Sequence, residues 1–337
     1  MTQDDSLDES TSTFYLEPGR LPELERLEAL IERLPKGTRT ERLQTLTHKG
    51  KSFPIHSICF GSPDPSQPTL ALVGGVHGLE RIGSQTIIAY LESLVARLEW
   101  DEDLQRSFET HRLVCLPILN PVGMMLGRRS NGRGVDLMRN APVEVEGRAP
   151  FLVGGQRISP WLPWFRGKKG DGLETESQVL VDFIQRELFS SSYSIALDVH
   201  SGFGMRDRLW YPYAKTKRDF PGIRQIRKLK SLLKRSYPNH VYLIEAQHKQ
   251  YLASGDLWDY LLDLHPDTHA GRPRFLPLTL EMGSWLWVKK NPLQILSHRI
   301  GSFHPIKSHR QKRTFRRHIY LFEFLMKASK FSKNWIS

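Results

Sequence analysis

The chain has 337 residues, 39% of them hydrophobic and 25% charged, with a formal net charge of +12 at pH 7. That length can bury a large core, and the composition suits a globular protein rather than a disordered or fibrous one; no run of about 18 apolar residues offers a membrane span. Two cysteines, Cys59 and Cys115, exclude a disulfide framework, and the acidic opening MTQDDSLDES lacks the basic and apolar stretches of a secretory signal. A cytoplasmic protein is the expectation.

Residues 1–18, rich in Asp, Ser and Thr, read as a disordered leader. From Leu21, LPELERLEALIERL carries apolar residues at helical spacing with Pro22 near its start. Two strands pair around Lys49-Gly50-Lys51, the second of them FPIHSICFG. TLALVGGV fits a fully buried strand; it delivers HGLERIG and then the helical pattern SQTIIAYLESLVARL. HRLVCLPILNP is a further buried strand, followed by a long Gly- and Arg-rich loop from Gly123 to Gly172. TESQVLVDFIQREL is helical with Thr175 as its expected N-cap. SSYSIALDVHSG and RFLPLTLEMGSW read as strands, and FPGIRQIRKLKSLLKR and RTFRRHIYLFEFLMKASKF as helices. Buried strands alternating with helices predict an α/β fold: a mostly parallel, twisted, mixed sheet with helices on both faces.

The basic excess is local. From Lys289 to Ser337 there are 12 Lys or Arg against one acid, Glu323, which is +11 and leaves +1 for the rest of the chain. The expected organisation is therefore the leader, one main domain over 19–288, and a basic C-terminal extension over 289–337 packed on it.

In a sheet of this kind ligands gather where strands end in loops. After TLALVGGV comes His77-Gly78-Leu79-Glu80, and after SIALDV comes His200. Two imidazoles and a carboxylate suit Zn²⁺ and leave a coordination position open. The same residues also fit a plainer reading, in which His77 and Glu80 cap the next helix and His200 bonds within a loop. GRRSNGRGVDLMRNAP gathers Arg128, Arg129, Arg133 and Arg139 around Asp136, and Glu281 lies in an otherwise apolar strand, where a carboxylate needs a partner or a role.

With these in view the chain resembles the M14 zinc carboxypeptidase superfamily, which includes aspartoacylase-like deacylases and murein-peptide amidases. The likeness rests on HGLE, RSNGRGVDLMRN, LDVHSG, SGDLWDY and LTLEMG in that order. It implies one zinc per chain held by His77, Glu80 and His200, making 19–288 a zinc hydrolase catalytic domain. It implies Glu281 as general base, Arg129 polarising the scissile carbonyl, with Arg128 a rival one residue away, and Arg139 gripping a substrate carboxylate. Asp136 falls where the family orients its first histidine ligand, and Tyr260 where a tyrosine covers the substrate; Asn140 could help orient it. Met138 stands where the family has Asn, and a thioether cannot donate that hydrogen bond.

The implied function is zinc-dependent hydrolysis of an amide or peptide bond, the substrate a small peptide or acylated amino acid. Met138 favours an alternative, deacylation of an N-acyl amino acid or cleavage of a murein peptide. A third reading gives the function to the basic extension, where Arg310, Lys312, Arg313, Arg316 and Arg317 would engage nucleic acid or an anionic membrane.

Overall fold

The computed structural model describes residues 21–268, 274–297 and 301–336; the expected leader lies outside them. In chain order, α1 (Pro22–Ile31) precedes β1 (Arg39–His48) and β2 (Lys51–Gly61). Then come β3 (Thr69–Gly74), α2 (Arg81–Leu98), α3 (Glu102–Glu109), β4 (Arg112–Leu116) and α4 (Pro121–Leu126). A long irregular stretch leads to α5 (Thr175–Leu188), β5 (Ser194–Ser201), β6 (Arg208–Tyr211), α6 (Ile223–Ser236), β7 (Leu243–Ala246), α7 (Leu257–Leu264) and β8 (Phe275–Met282). Short helices α8 (Trp285–Lys290) and α9 (Gln294–Ser297) lead to α10 (Ser308–Lys330) and α11 (Lys333–Ile336).

The eight strands form one mixed sheet in the order β1-β2-β4-β3-β5-β8-β6-β7. Its centre, β4-β3-β5-β8, is parallel, while β2 joins it antiparallel at one side and the parallel pair β6-β7 at the other. Every residue of β3, β5 and β8 is buried, so both faces of the central sheet are covered, as their largely apolar sequences suit. Lys49 and Gly50 both take positive φ at the two-residue turn between β1 and β2, the backbone such a hairpin needs.

Helix α2 packs on β3 and β5, and α10 packs on α2. The apolar face of α10 puts Phe322 edge-on against Tyr90 of α2, with ring centroids 5.4 Å apart. The expected N-cap Thr175 is instead the first residue of α5, with Glu174 in the cap position and no side-chain cap bond. The strands β6 and β7 have only four residues each, too short for a period of two to stand out in the sequence.

Candidate active site

The central strands point their C-terminal ends at one place. His77 and Glu80 follow β3, His200 is the seventh residue of β5, and Glu281 lies directly opposite His200 in the β5–β8 register. Donor atoms of His77, Glu80 and His200 lie within 4.8 Å of one another, the one such group among the described residues. Glu80 occupies the N-cap position of α2 but makes no cap bond; its carboxylate turns inward. Oε1 meets His77 Nδ1 at 2.8 Å and Oε2 meets His200 Nδ1 at 3.0 Å. The helix-capping explanation of these residues is thereby displaced.

The far nitrogen of each imidazole is held by its own carboxylate. His77 Nε2 bonds to Asp136 Oδ1 at 3.1 Å, and His200 Nε2 to Asp198 Oδ2 at 2.7 Å. Asp198 also accepts from the Trp258 indole at 2.8 Å. Both histidines therefore offer Nδ1, and these two atoms are 3.2 Å apart. Two nitrogens each about 2.0–2.1 Å from a tetrahedral zinc lie roughly 3.3 Å apart, so the donor set and its spacing fit the ion, with outer carboxylates in the usual orienting role.

The electrostatics follow from packing opposite charges out of water. Burial opposes ionisation of Glu80, yet the facing His77 and His200 hold its carboxyl below the usual range. Burial likewise opposes charge on His200, but Asp198 and Glu80 raise it well above an ordinary histidine. Asp136 is held low against its burial by Arg129 and His77. Glu281 goes the other way: burial first, then the charge of Glu80, push it up to about 8, against His200 and Arg129.

A cavity of ≈ 330 Å³ opens over these groups. Arg129 lines it, with Nε on Asp136 at 2.8 Å and Nη1 on Glu80 at 3.2 Å; Arg128 does not line it and belongs to the neighbouring cavity. Arg139 reaches the cleft from a buried position, its guanidinium held by the Val153 and Met138 carbonyls and by the Tyr251 hydroxyl at 3.4 Å. Met138 lines the cleft beside it.

Two expected site residues are elsewhere. Asn140 is buried in its own loop, its amide donating to the Arg166 carbonyl and its oxygen accepting from Glu174 N; it shapes the loop and does not line the cleft. Tyr260 sits on α7, half-buried against the hydrophobic core, and does not line the cleft. The tyrosine in the cleft is Tyr251, nine residues earlier. The SGDLWDY segment instead supports the site from behind. Gly255, at φ +78°, packs so closely that a Cβ would lie 1.8 Å from the Arg139 carbonyl oxygen, and Trp258 holds Asp198. Asp198 was readable in LDVH, since a period of two puts it on the face of His200; Tyr251 carried no local signal. Trp164 and Trp285 line the cleft, whereas Trp161 and Trp287 do not. Phe303, from the basic segment, also walls the cleft, and its carbonyl accepts from Ser201 Oγ at 2.6 Å.

This fold and donor set define the class, and the comparisons agree. The zinc carboxypeptidase family model matches residues 25–280: the chain belongs to that family of metal-dependent hydrolytic enzymes. The structure is similar to bovine thrombin-activatable fibrinolysis inhibitor bound to tick carboxypeptidase inhibitor, at TM-score 0.66, 16% identity, and 95% and 99% of the two chains covered. It is also similar to carboxypeptidase A from Helicoverpa armigera, at TM-score 0.63, 18% identity, and 91% and 72% covered. Among curated proteins it is 30% identical to murein peptide amidase A of Escherichia coli over 144 residues, 41% of this chain and 53% of that one. It is 30% identical to human carboxypeptidase D over 123 residues, 31% of this chain and 9% of that one. These matches therefore span about half of the relative's length or less.

Proposed function

We propose that this chain hydrolyses an amide bond in a small peptide, using one zinc held by His77, Glu80 and His200. The observation that carries the reading is the convergence of those three donors, each histidine oriented by a separate carboxylate, beneath a cleft that also holds Glu281 and two arginines. A zinc ion there would lend Lewis acidity, polarising a carbonyl and acidifying water. Glu281, opposite His200 on the adjoining strand, takes the proton from the attacking water and delivers it to the leaving nitrogen. Arg129, already fixed by Asp136 and Glu80, donates to the developing oxyanion. The buried guanidinium of Arg139 hydrogen-bonds to neutral groups only, and its fork suits a substrate carboxylate.

A second reading keeps this machinery and changes the substrate to an N-acyl amino acid or a murein-type peptide. Met138 in the cleft wall favours it, because an apolar side chain there suits an acyl group better than a second carboxylate-binding donor would. The test is a panel of C-terminally free peptides, N-acyl amino acids and murein peptides offered to zinc-loaded and chelator-treated protein. Chelator-sensitive release from the first class supports the main reading, and release confined to the others supports the second. Turnover indifferent to chelation overturns both.

A further inference from the structure

The cleft does not end at the candidate metal ligands. Arg129 and Trp164 belong both to it and to a neighbouring cavity of ≈ 460 Å³. That second space is built from two loops the sequence marks out, the arginine-rich turn around Arg128 and Arg133 and the SPWLPW stretch carrying Trp161. The loops meet almost backbone to backbone. Gly134 sits at φ +85°, and a Cβ there would lie 3.1 Å from Pro160 Cβ and 3.2 Å from its carbonyl oxygen.

The chemistry of this space is unbalanced. The one acid lining it, Asp136, is buried and committed to His77 and Arg129. Arg133 is itself exposed and reaches the buried Glu174 carboxylate only across 3.6 Å, too far for a hydrogen bond. The guanidinium of Arg128 has no hydrogen bond or ion pair among the described residues. Beside these cations the wall is apolar and open to water: Trp161 is 89% exposed and Leu162 40%, an unusual display for large apolar side chains next to a catalytic cleft.

We propose that this cavity is an anion-recognising extension of the cleft. It receives the part of the substrate on the amino side of the cleaved bond, opposite the Arg139 end, and that part carries a carboxylate held by Arg128 and Arg133 while its apolar portion lies on Trp161. The proposal rests on the hydrolase reading, and continuity with the cleft and charge complementarity select an acidic peptide as the occupant. Guanidinium–carboxylate bonds supply the selectivity, and the indole face supplies contact area at small entropic cost.

The test uses two N-acetyl peptides identical except for Glu or Gln two residues before the cleaved bond, given to zinc-loaded wild-type protein and to the Arg128→Gln/Arg133→Gln double variant. Cleavage is followed as kcat/KM, and binding to the same preparations is measured separately by calorimetry. In wild type the Glu peptide is expected to be favoured about tenfold, mainly through KM, with the preference shrinking as salt rises from 50 to 500 mM. The double variant is expected to treat both peptides alike while cleaving the Gln peptide within about twofold of wild type. Cleavage with no preference in wild type, or a preference that survives the double substitution, overturns the extension and leaves the hydrolase reading standing. Preferential binding that the substitutions abolish, without cleavage of either peptide, upholds the extension and removes the hydrolase reading; neither binding preference nor cleavage removes both.

Discussion

The strand-end cluster and the helix α10 collect the same residue types and treat them in opposite ways. At the strand ends buried charges are packed against one another: Glu80 lies between His77 and His200, and Arg129 bridges Glu80 and Asp136. Along α10 the charges are sorted instead. Lys312, Arg313 and Arg316 face water, Arg317 pairs with Asp207 at 3.0 Å, and Arg310 is tied to the Trp287 carbonyl. The histidines of that seam are buried: His318 meets the Tyr242 hydroxyl at 2.9 Å with the Asp207 carboxylate 4.0 Å from its other nitrogen, and His111 meets Ser329 at 2.8 Å. Burial pushes His318 down to about 4 and His111 down to about 3. The cluster sets buried charge against opposite charge, whereas the α10 seam neutralises its histidines and leaves most of its cations wet.

Substitution at the cluster should have the largest effects. His200→Ala is expected to yield protein without bound zinc and with hydrolysis at background, read by elemental analysis and substrate turnover; zinc retained at the wild-type level would break the contrast outright. Glu281→Gln is expected to lower kcat/KM by about 10²–10⁴-fold while metal content is unchanged. Asp198→Asn, which removes the carboxylate behind His200, is expected to weaken zinc binding about 10–100-fold in a chelator competition. A wild-type affinity in that variant would mean that Trp258 and the strand suffice to orient the ring.

The α10 seam gives smaller effects of a different kind. The folded pKa of His318 lies below the unfolded value near 6.5, so the unfolded chain takes up more protons as pH falls from about 6.5 toward 4. Stability should therefore decline across that window, by about 3 kcal/mol at most from this residue, and be insensitive to it above. Urea denaturation from pH 7.5 to 4 measures the slope, which His318→Gln should flatten. At the small end, neutralising Lys312, Arg313 and Arg316 together should change stability by no more than about 0.5 kcal/mol per site. Salt-sensitive DNA or anionic-vesicle binding lost in that triple variant would restore a role for the basic segment.

The sequence by itself determined the architecture, for reasons that are local, and its motifs pointed to the candidate metal ligands. Largely apolar runs such as TLALVG and SIALDV fit interior strands, and polar residues placed at the ends of such strands are drawn toward the common edge of a parallel sheet. Tertiary structure alone decided which neighbours share the cleft. Tyr251 rather than Tyr260 enters it because α7 carries the later tyrosine onto the core, while Asn140 is consumed by its own loop. Phe303 walls the site from a segment that composition had set apart. Periodicity reports which face of an element is buried, but the side chains that meet across a loop-built cavity depend on how distant loops close over the sheet. No local pattern encodes that.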